Sequence, residues 1–159
     1  MNLYKHTGQK SVTIYEIQNR STQLLTVLLN IWEDSVRATH LFLSCSEVNQ
    51  IKKYVPQALN NVEHLVAAEN ECGETVAFMG VENNRLEMLF ISPLKRGKGI
   101  GRQLLQYGIQ NYKIQEVTVN EQNPQAVGFY EKMGFKTYKR TEYDEQGNHY
   151  PLLYMKLFK

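Results

Sequence analysis

The order of apolar and polar residues along the chain predicts a mixture of strands and helices. Strands are indicated where β-branched and aromatic residues alternate with polar ones, and where short apolar runs lie between turn residues. Such segments lie at residues 12–17, 64–69, 75–81, 85–91, 115–119, 136–143 and 149–158. Short turns join the second, third and fourth strands, which predicts an antiparallel meander. A Gln-Gly-Asn turn at residues 146–148 predicts a hairpin between the last two strands.

Helical periodicity marks further segments, in which apolar residues recur every three or four positions. These helices are predicted at residues 22–37, 45–59, 100–111 and 124–132. Ser44 and Glu47 form the pattern of a capping box at the start of the second helix, and Pro56 makes the end of that helix irregular. The pair at 123–124, an Asn followed by a Pro, is a strong start for the last helix, and Gly134 ends it.

The resulting order, β-α-α-β-β-β-α-β-α-β-β, predicts an α/β fold of the α+β type. We expect a mixed central sheet of about seven strands with helices on both faces. A length of 159 residues is that of a single domain, so residues 1–159 are predicted to form one. Residues 1–11 are polar, and we expect them to be loosely ordered.

Composition and charge argue against a few classes of partner and location but do not indicate a function. The net charge of +2 is too small to indicate nucleic acid as a partner, and no apolar run approaches the length of a membrane span. The first ten residues lack the apolar region of a signal peptide. Cys45 and Cys72 form no metal-binding pattern, so we expect free thiols, a cytoplasmic location and no bound metal.

A glycine-rich turn follows the strand at 85–91 and precedes a helix. Glycines at 97, 99 and 101 leave backbone N–H groups accessible, and the helix adds the positive end of its dipole. Basic side chains at Arg96, Lys98 and Arg102 lie beside the turn. Together these features predict a phosphate-binding cradle.

The spacing of the turn excludes two common phosphate-binding motifs. The Walker motif requires Lys-Ser or Lys-Thr after its last glycine, whereas Arg102 and Gln103 follow Gly101. The dinucleotide-binding fingerprint requires a third glycine at position 102 or 104, where the chain has Arg102 and Leu104.

A third motif fits. The pattern Arg96-x-x-Gly99-x-Gly101 after a strand resembles the acyl-CoA site of the GNAT N-acetyltransferases. Residues 123–135 resemble the second signature of that family, N-x-x-A-x-x-F-Y-x-x-x-G-F. The resemblance extends over the order of elements from residue 12 to residue 158, and it is closest to the YjaB-type bacterial acetyltransferases. The sequence departs from that subgroup at Pro124, where an acid is usual, and at Arg85, where a histidine is common.

The resemblance implies the fold, acetyl-CoA as cosubstrate, and direct transfer to a primary amine in a ternary complex. Backbone N–H groups of residues 97–102 are expected to hold the pyrophosphate, and Arg96, Lys98 and Arg102 to add charge. The pantetheine is expected along the edge of residues 89–91, with Asn123 on its other side. The cofactor-binding residues predicted in this way are Leu89, Phe90, Ile91, Arg96, Gly97, Lys98, Gly99, Ile100, Gly101, Arg102, Asn123, Ala126, Phe129 and Tyr130.

Two side chains are candidates for the proton transfers. The resemblance indicates Tyr130 as the general acid for the thiolate, since a phenol with a pKa near 10 is protonated at neutral pH. Core packing beside neighbouring aromatic residues is the alternative for Tyr130. Glu87 is the candidate base, directly or through water. It lies two residues before Leu89, so alternation predicts that the two share a strand face. Glu121 and His40 are weaker alternatives as the base.

The N–H of Leu89 or Phe90 is the candidate for polarising the thioester oxygen.

The acceptor is less defined by the sequence. Trp32, His40, Phe42 and Arg85 are candidates for its binding pocket, although core packing is an alternative for Trp32. Small amines and peptide or protein amines both remain open as substrates, as do a monomer and a homodimer. A non-catalytic acyl-CoA-binding module is the alternative function, and a nucleotide-binding protein is a third hypothesis. No nucleic acid or membrane partner is expected.

Overall fold

The computed structural model of the protein describes residues 12–158, so the expectation for residues 1–11 lies outside the described part. The strands are β1 (Thr13–Glu16), β2 (His64–Glu69), β3 (Thr75–Glu82), β4 (Arg85–Ile91), β5 (Glu116–Asn120), β6 (Phe135–Thr141) and β7 (Leu152–Leu157). The helices are α1 (Thr22–Thr39), α2 (Cys45–Lys52), α3 (Val55–Asn61), α4 (Ile100–Tyr112) and α5 (Pro124–Lys132). A single 3-10 turn, Pro93–Lys95, follows β4.

All seven strands lie in one sheet, in the order β1-β2-β3-β4-β5-β7-β6. Neighbouring strands are antiparallel except β4 and β5, which run parallel because α4 crosses from the end of one to the start of the other. The sheet is therefore mixed, as the order of elements predicted.

Alternation along the strands divides the core into two layers. Val66, Ala68 and Met79 belong to the cluster that packs with α4 and α5. Leu65, Ala67 and Phe78 belong to the cluster that packs with α1, α2 and α3. Successive residues of a strand point to opposite faces, so the sheet is covered by helices on both sides. This confirms the predicted arrangement.

The single helix expected over residues 45–59 is instead two helices. Ser44 and Glu47 form the predicted capping box at the start of α2, but α2 ends at Lys52. Pro56 lies in the first turn of α3, where a proline without an N–H group is tolerated. The proline therefore begins a new helix, whereas the sequence pattern had indicated that it disturbed the end of a continuous one.

The last hairpin is also shorter than predicted. Strand pairing ends at Thr141 and Leu152, and residues 142–151 form a connecting loop. The Asp144 side chain accepts hydrogen bonds from the backbone N–H groups of Gln146 and Asn148, both within 3.0 Å, and so closes the turn inside this loop. The prediction of strand from residue 149 was wrong: the Tyr150 N–H donates to the Asn148 carbonyl within the loop at 2.8 Å, and Pro151 has no N–H group for strand pairing.

Candidate active site

The site forms where the two parallel strands separate. β4 and β5 are paired only at Arg85 with Glu116 and at Leu86 with Val117. Beyond these pairs β4 continues to Ile91 along β3 alone. The edge of β4 that faces β5 therefore has backbone groups free to pair with an extended ligand.

The hydrogen bonding of β4 shows which amides face this opening. The Ser92 N–H donates to the Val76 carbonyl on the β3 side at 2.8 Å. In an antiparallel pair the amides alternate in direction, so the Phe90 N–H also faces β3 and the N–H groups of Leu89 and Ile91 face the opening. Of the two amides proposed to polarise a thioester oxygen, only that of Leu89 is directed there.

A bulge interrupts β4 before this edge. Gly80 pairs with Met88 and Val81 pairs with Leu86, so Glu87 has no partner on β3. The extra residue changes the alternation. Leu89 packs against the core cluster of α4 and α5, whereas the Glu87 side chain lies in a pocket lined by residues of α2. The prediction that Glu87 and Leu89 share a strand face was therefore wrong.

One pocket, which we call the cofactor groove, is lined by the glycine turn, β4 and α5. Its volume is about 620 Å³. Thirteen of the fourteen predicted cofactor residues line it; the exception is Lys98. The groove is also lined by residues that the motifs did not indicate, namely Ser35, Thr39, His40, Lys95, Gln125, Lys132 and Met133. Lys95 adjoins the glycine motif and Lys132 lies inside the second one, so both could have been found as neighbouring basic residues.

The glycine turn has the backbone conformation that an anion cradle requires. Gly97 and Gly99 have φ values of 77° and 76°, in the left-handed region that favours glycine. Gly99 caps α4 without any side-chain cap, so the first N–H groups of the helix are left for a ligand. A Cβ at Gly101 would lie 2.8 Å from Ile91 Cδ1, which explains why α4 can start so close to β4. These features fit the phosphate groups of an acyl-CoA.

Of the three basic side chains predicted beside the glycine turn, two line the cofactor groove. The Arg96 guanidinium donates to the Ser35 hydroxyl of α1 at 3.0 Å, and burial lowers the pKa of Arg96. Ser35 is itself only 3% exposed, so this contact fixes Arg96 to one wall of the groove. Arg102 also lines the groove, whereas Lys98 does not. The expectation that Lys98 would line the site is therefore not met by this structure.

Tyr130, on α5, lines the cofactor groove. Its ring packs edge-on against Phe129 and Phe135, at centroid distances of 5.1 and 5.8 Å. Burial raises the pKa of Tyr130, which keeps the phenol protonated. Core packing and a position in the site are therefore both true of Tyr130, since its ring belongs to the core and also lines the groove.

Asn123 accepts a hydrogen bond from the Ala126 N–H at 3.3 Å as the cap of α5, and it lines the same groove.

The second pocket, which we call the acceptor pocket, lies on the face of the sheet covered by α2. Its volume is about 1030 Å³. Phe42 and Arg85, two of the candidates for the acceptor site, line it together with Glu87, the candidate base. Thr118 and Asn120 of β5 form its floor. Further lining residues come from α2 and from the loop between β6 and β7.

Two predicted acceptor residues lie elsewhere. Trp32 is 5% exposed and belongs to the core between α1 and the sheet. His40 lines the cofactor groove, where its Nδ1 lies 2.9 Å from the Thr39 hydroxyl oxygen. Burial lowers the pKa of His40, and the charge of Arg96 lowers it further. The structure therefore does not place either residue in the acceptor pocket.

The acceptor pocket is acidic. Four carboxylate side chains line it against a single basic one, Arg85. The carboxylates are Glu47, Glu87, Asp144 and Glu145. Partial burial raises the pKa of Glu87; Arg85 opposes this rise, and the charges of Glu82 and Glu145 add to it. A pocket of this charge attracts a protonated amine, and a raised pKa makes Glu87 a stronger base.

Arg85 and Glu121 each form an ion pair with a neighbouring side chain. Arg85 forms an ion pair with Glu116 of β5 at 3.0 Å, and it lies 3.4 Å from the Thr118 hydroxyl. It therefore joins the two strands just before they separate. Glu121 is bound by Arg140, whose hydrogen bonds lower the pKa of Glu121. Because Glu121 lines neither pocket, the geometry favours Glu87 over it as a base.

In the part of the chain that the structure describes, no helix is long and apolar enough to cross a membrane. Within residues 12–158 there is also no group of three His, Cys, Asp or Glu side chains that could hold a metal ion.

Comparisons with known proteins agree with this geometry. Residues 33–157 match the family described as the acetyltransferase (GNAT) domain. The chain is 42% identical to the peptidyl-lysine N-acetyltransferase YjaB of Salmonella typhimurium, over 79% of this chain and 86% of the relative. The solution structure of apo YjaB from Escherichia coli superposes with a TM-score of 0.82 at 37% identity, covering 92% of this chain and 97% of the other.

The fold is also shared with the PaiA N-acetyltransferase of Thermoplasma acidophilum in complex with coenzyme A. That structure has a TM-score of 0.66 at 19% identity and covers 94% of this chain and 99% of the other. The two sequence motifs, the separated parallel strands and the match to the domain lead to one conclusion: the chain belongs to the GNAT family and is an N-acetyltransferase.

Proposed function

We propose that the protein transfers the acetyl group of acetyl-CoA to the side-chain amine of a lysine in a peptide or protein. The observation that carries this proposal is the acceptor pocket, which is lined by four carboxylates and one arginine. A lysine side chain arrives as a cation, and an acidic pocket attracts it. The name of the Salmonella relative, a peptidyl-lysine N-acetyltransferase, supports the same acceptor.

The positions of Glu87 and Leu89 support a direct transfer. Glu87 lines the acceptor pocket and Leu89 lines the cofactor groove, so residues two apart on β4 belong to the two pockets next to the separation of β4 and β5. An amine entering past Glu87 reaches the edge of β4 where the Leu89 N–H is free. A ternary complex can form in this arrangement without any covalent intermediate on the protein.

The residues proposed for acetyl-CoA line one continuous groove. The backbone N–H groups at the start of α4 bind the pyrophosphate, with Arg96 and Arg102 adding positive charge. The free edge of β4 pairs with the pantetheine, and Asn123 lies across from it. The thioester supplies an activated acetyl group, and the remaining chemistry falls to side chains and amides of this chain.

The proton transfers are assigned to two residues. Glu87 accepts a proton from the lysine ammonium, directly or through a water molecule. The neutral amine then forms a bond to the acetyl carbon, and its second proton leaves to solvent as the tetrahedral intermediate collapses. The Leu89 N–H stabilises the negative charge that develops on the carbonyl oxygen. As the carbon–sulfur bond breaks, the Tyr130 hydroxyl donates its proton to the sulfur. The phenol is protonated at neutral pH, as a proton donor must be, and burial raises the pKa of Tyr130 and so makes it a weaker acid.

A panel of amines tests the acceptor. Thiol release from acetyl-CoA is measured with a lysine peptide blocked at both ends, a lysine-free peptide with a free α-amine, free lysine and spermidine. We expect the blocked lysine peptide to have the highest kcat/KM, with the acetyl group located on the lysine Nε by mass spectrometry. Preference for spermidine or for the α-amine would contradict the proposed acceptor. Acetyl-CoA binding without turnover on any amine would instead support the non-catalytic alternative.

A further inference from the structure

Within residues 12–158, no helix covers one face of the sheet at β5, β7 and β6. On that side α1 packs against β3 and β4, and α2 and α3 pack against α1, whereas α5 packs against β5 and β6 from the opposite side. Val117, Val119 and Met155 point into the core formed with α4 and α5. The residues that alternate with them therefore face outward on the side of the acceptor pocket.

This outward face carries a cluster of lysines and tyrosines, which we call the lysine–tyrosine face. It consists of Lys136, Tyr138, Lys139, Tyr154 and Lys156. Strand register arranges these residues in two rows that start on β5, and one row starts at Thr118, which lines the acceptor pocket. Thr118 pairs with Tyr154, which pairs with Lys139. Glu116 pairs with Lys156, which pairs with Lys136.

The aromatic rings hold the lysine side chains along the sheet. Lys139 Nζ lies 4.9 Å from the centre of the Tyr154 ring, and Lys156 Nζ lies 4.4 Å from that of Tyr138. The two tyrosine rings are themselves in contact, at a centroid distance of 6.5 Å. The lysine stems are thus ordered before any ligand arrives, which reduces the entropy lost on binding.

The positive charge of this face is poorly compensated. Within residues 12–158, neither Lys136 nor Lys139 has a carboxylate within ion-pair distance, and Lys156 has only Glu116, at 3.8 Å. Glu116 is already bound by Arg85 at 3.0 Å. Lys136 and Lys156 are direct cross-strand neighbours, and like charges in such positions repel each other. An anion bound between them would remove this repulsion.

We propose that the lysine–tyrosine face binds acidic residues that flank the acceptor lysine of the substrate. This inference rests on the proposed function. Thr118 and Asn120 belong both to the floor of the acceptor pocket and to the uncovered face, so a chain whose lysine enters the pocket continues over β7 and β6. The sign of the charge reverses along this path, from four carboxylates in the pocket to three lysines beyond it. Such a surface complements a cationic side chain next to acidic ones.

The distance from the acceptor pocket to Lys139 predicts how far the acidic residue lies from the acceptor lysine in the substrate. Lys139 lies two strands from Thr118, which is roughly 10 Å at the usual separation of neighbouring strands. An extended chain covers that distance in about three residues. The acidic residue is therefore expected about three positions from the acceptor lysine, and testing both directions along the chain identifies the orientation of the peptide.

The test compares short blocked peptides that contain one lysine. One set carries Glu about three residues before the lysine, a second set carries it about three residues after, and a third carries Gln at both places. We expect one of the acidic sets to exceed the Gln set in kcat/KM by about three- to tenfold at low salt, as one or two exposed ion pairs allow. The preference should diminish as ionic strength rises.

Variants then assign the preference to this face. In Lys136→Gln/Lys139→Gln we expect the acidic preference to disappear, while turnover of the Gln peptide and the KM for acetyl-CoA stay unchanged. Lys139→Glu should favour peptides with Arg at the same position. Lys113→Gln, at an exposed lysine that follows α4, is the matched control and should keep the preference.

Several outcomes would overturn the inference. Acetylation of lysine peptides regardless of their flanks would overturn it and leave the proposed function intact. The absence of acetylation on every lysine peptide would overturn both. A preference that persists in the double variant would place the determinant elsewhere. A dimer in the wild-type protein that dissociates in Lys139→Glu would show that a second copy of the chain covers this face, and oligonucleotide binding lost in the double variant would assign the face to nucleic acid.

Discussion

Glu87 and Leu89 lie two residues apart on β4, yet their side chains line different pockets. Glu87 contributes to the acceptor pocket and Leu89 to the cofactor groove. The bulge at Glu87 causes this separation, because it adds one residue to β4 between the pairs formed by Leu86 and Met88. Without the extra residue, strict alternation would direct both side chains to one face. The candidate base and the candidate carbonyl-binding amide can therefore approach one reacting centre from two sides.

Replacement of Tyr130 by Phe tests the general acid. We expect kcat to fall by about a hundredfold or more, as for loss of a positioned acid, with little change in the KM for acetyl-CoA. The ring contacts with Phe129 and Phe135 need no hydroxyl, so the fold should be retained. Steady-state kinetics with a confirmed amine substrate provide the measurement. Tyr107→Phe, on α4 and outside both pockets, is the matched control, and an unchanged kcat in Tyr130→Phe would remove the residue from the mechanism.

Replacement of Glu87 by Gln tests the base through the pH dependence of kcat. Burial raises the pKa of Glu87, so the carboxylate is lost at a higher pH than for an exposed glutamate, and activity should decline on the acid side as it protonates. A glutamine side chain cannot titrate, so Glu87→Gln should have a much lower kcat without that acid limb. Glu121→Gln is the control, since Glu121 lies outside both pockets. If the pH profile of kcat in Glu87→Gln kept the acid limb of the wild type, Glu87 would not be the base.

The glycine turn can be tested with two glycines of the same backbone conformation. Gly97 and Gly73 have φ values of 77° and 76°, and a Cβ would meet nothing within 4 Å at either. Alanine at each should therefore cost a similar free energy of unfolding, about 1–2 kcal/mol from the left-handed conformation. Only Gly97→Ala should also raise the KM for acetyl-CoA, because only Gly97 lines the cofactor groove. An equal KM in the two variants would argue against the cradle.

Glu16 provides a test of stability against pH. Its Oε1 accepts a hydrogen bond from the Tyr112 hydroxyl at 2.6 Å and lies 2.9 Å from His64 Nδ1, joining β1 to α4 and β2. The Tyr112 hydrogen bond lowers the pKa of Glu16, and His64 and Arg20 lower it further against the effect of burial. The folded state therefore favours the ionised carboxylate.

The resulting stabilisation is complete above the ordinary pKa of a glutamate, and it is lost as the pH falls through the lower value of the folded state. Glu16→Gln should reduce the free energy of unfolding by about 1 kcal/mol at neutral pH, and the difference from wild type should shrink in acid. Denaturant unfolding at several pH values measures this. The exposed Glu131→Gln is the control, and a pH-independent difference would show that the loss is one of packing.

Features with a local cause were the most predictable from the sequence. The Ser44 capping box, the Asn123 cap of α5 and the glycine turn before α4 each depend on a few neighbouring residues, and each is present in the structure. The prediction failed where one residue is compatible with two different local structures. Pro56 is compatible with the end of one helix or the first turn of another, and only the packing of α3 decides between them.

The sequence by itself determined the family, the order of the elements and nearly all of the cofactor groove, because those features follow from motifs and periodicity within continuous segments. The tertiary structure decided the features that depend on how the elements pack around each site. These are the bulge that separates Glu87 from Leu89, the burial of Trp32 and the exclusion of Lys98 from the groove. The acidic acceptor pocket and the lysine–tyrosine face likewise arise only from strand register, which places side chains of one charge together although they are scattered along the sequence.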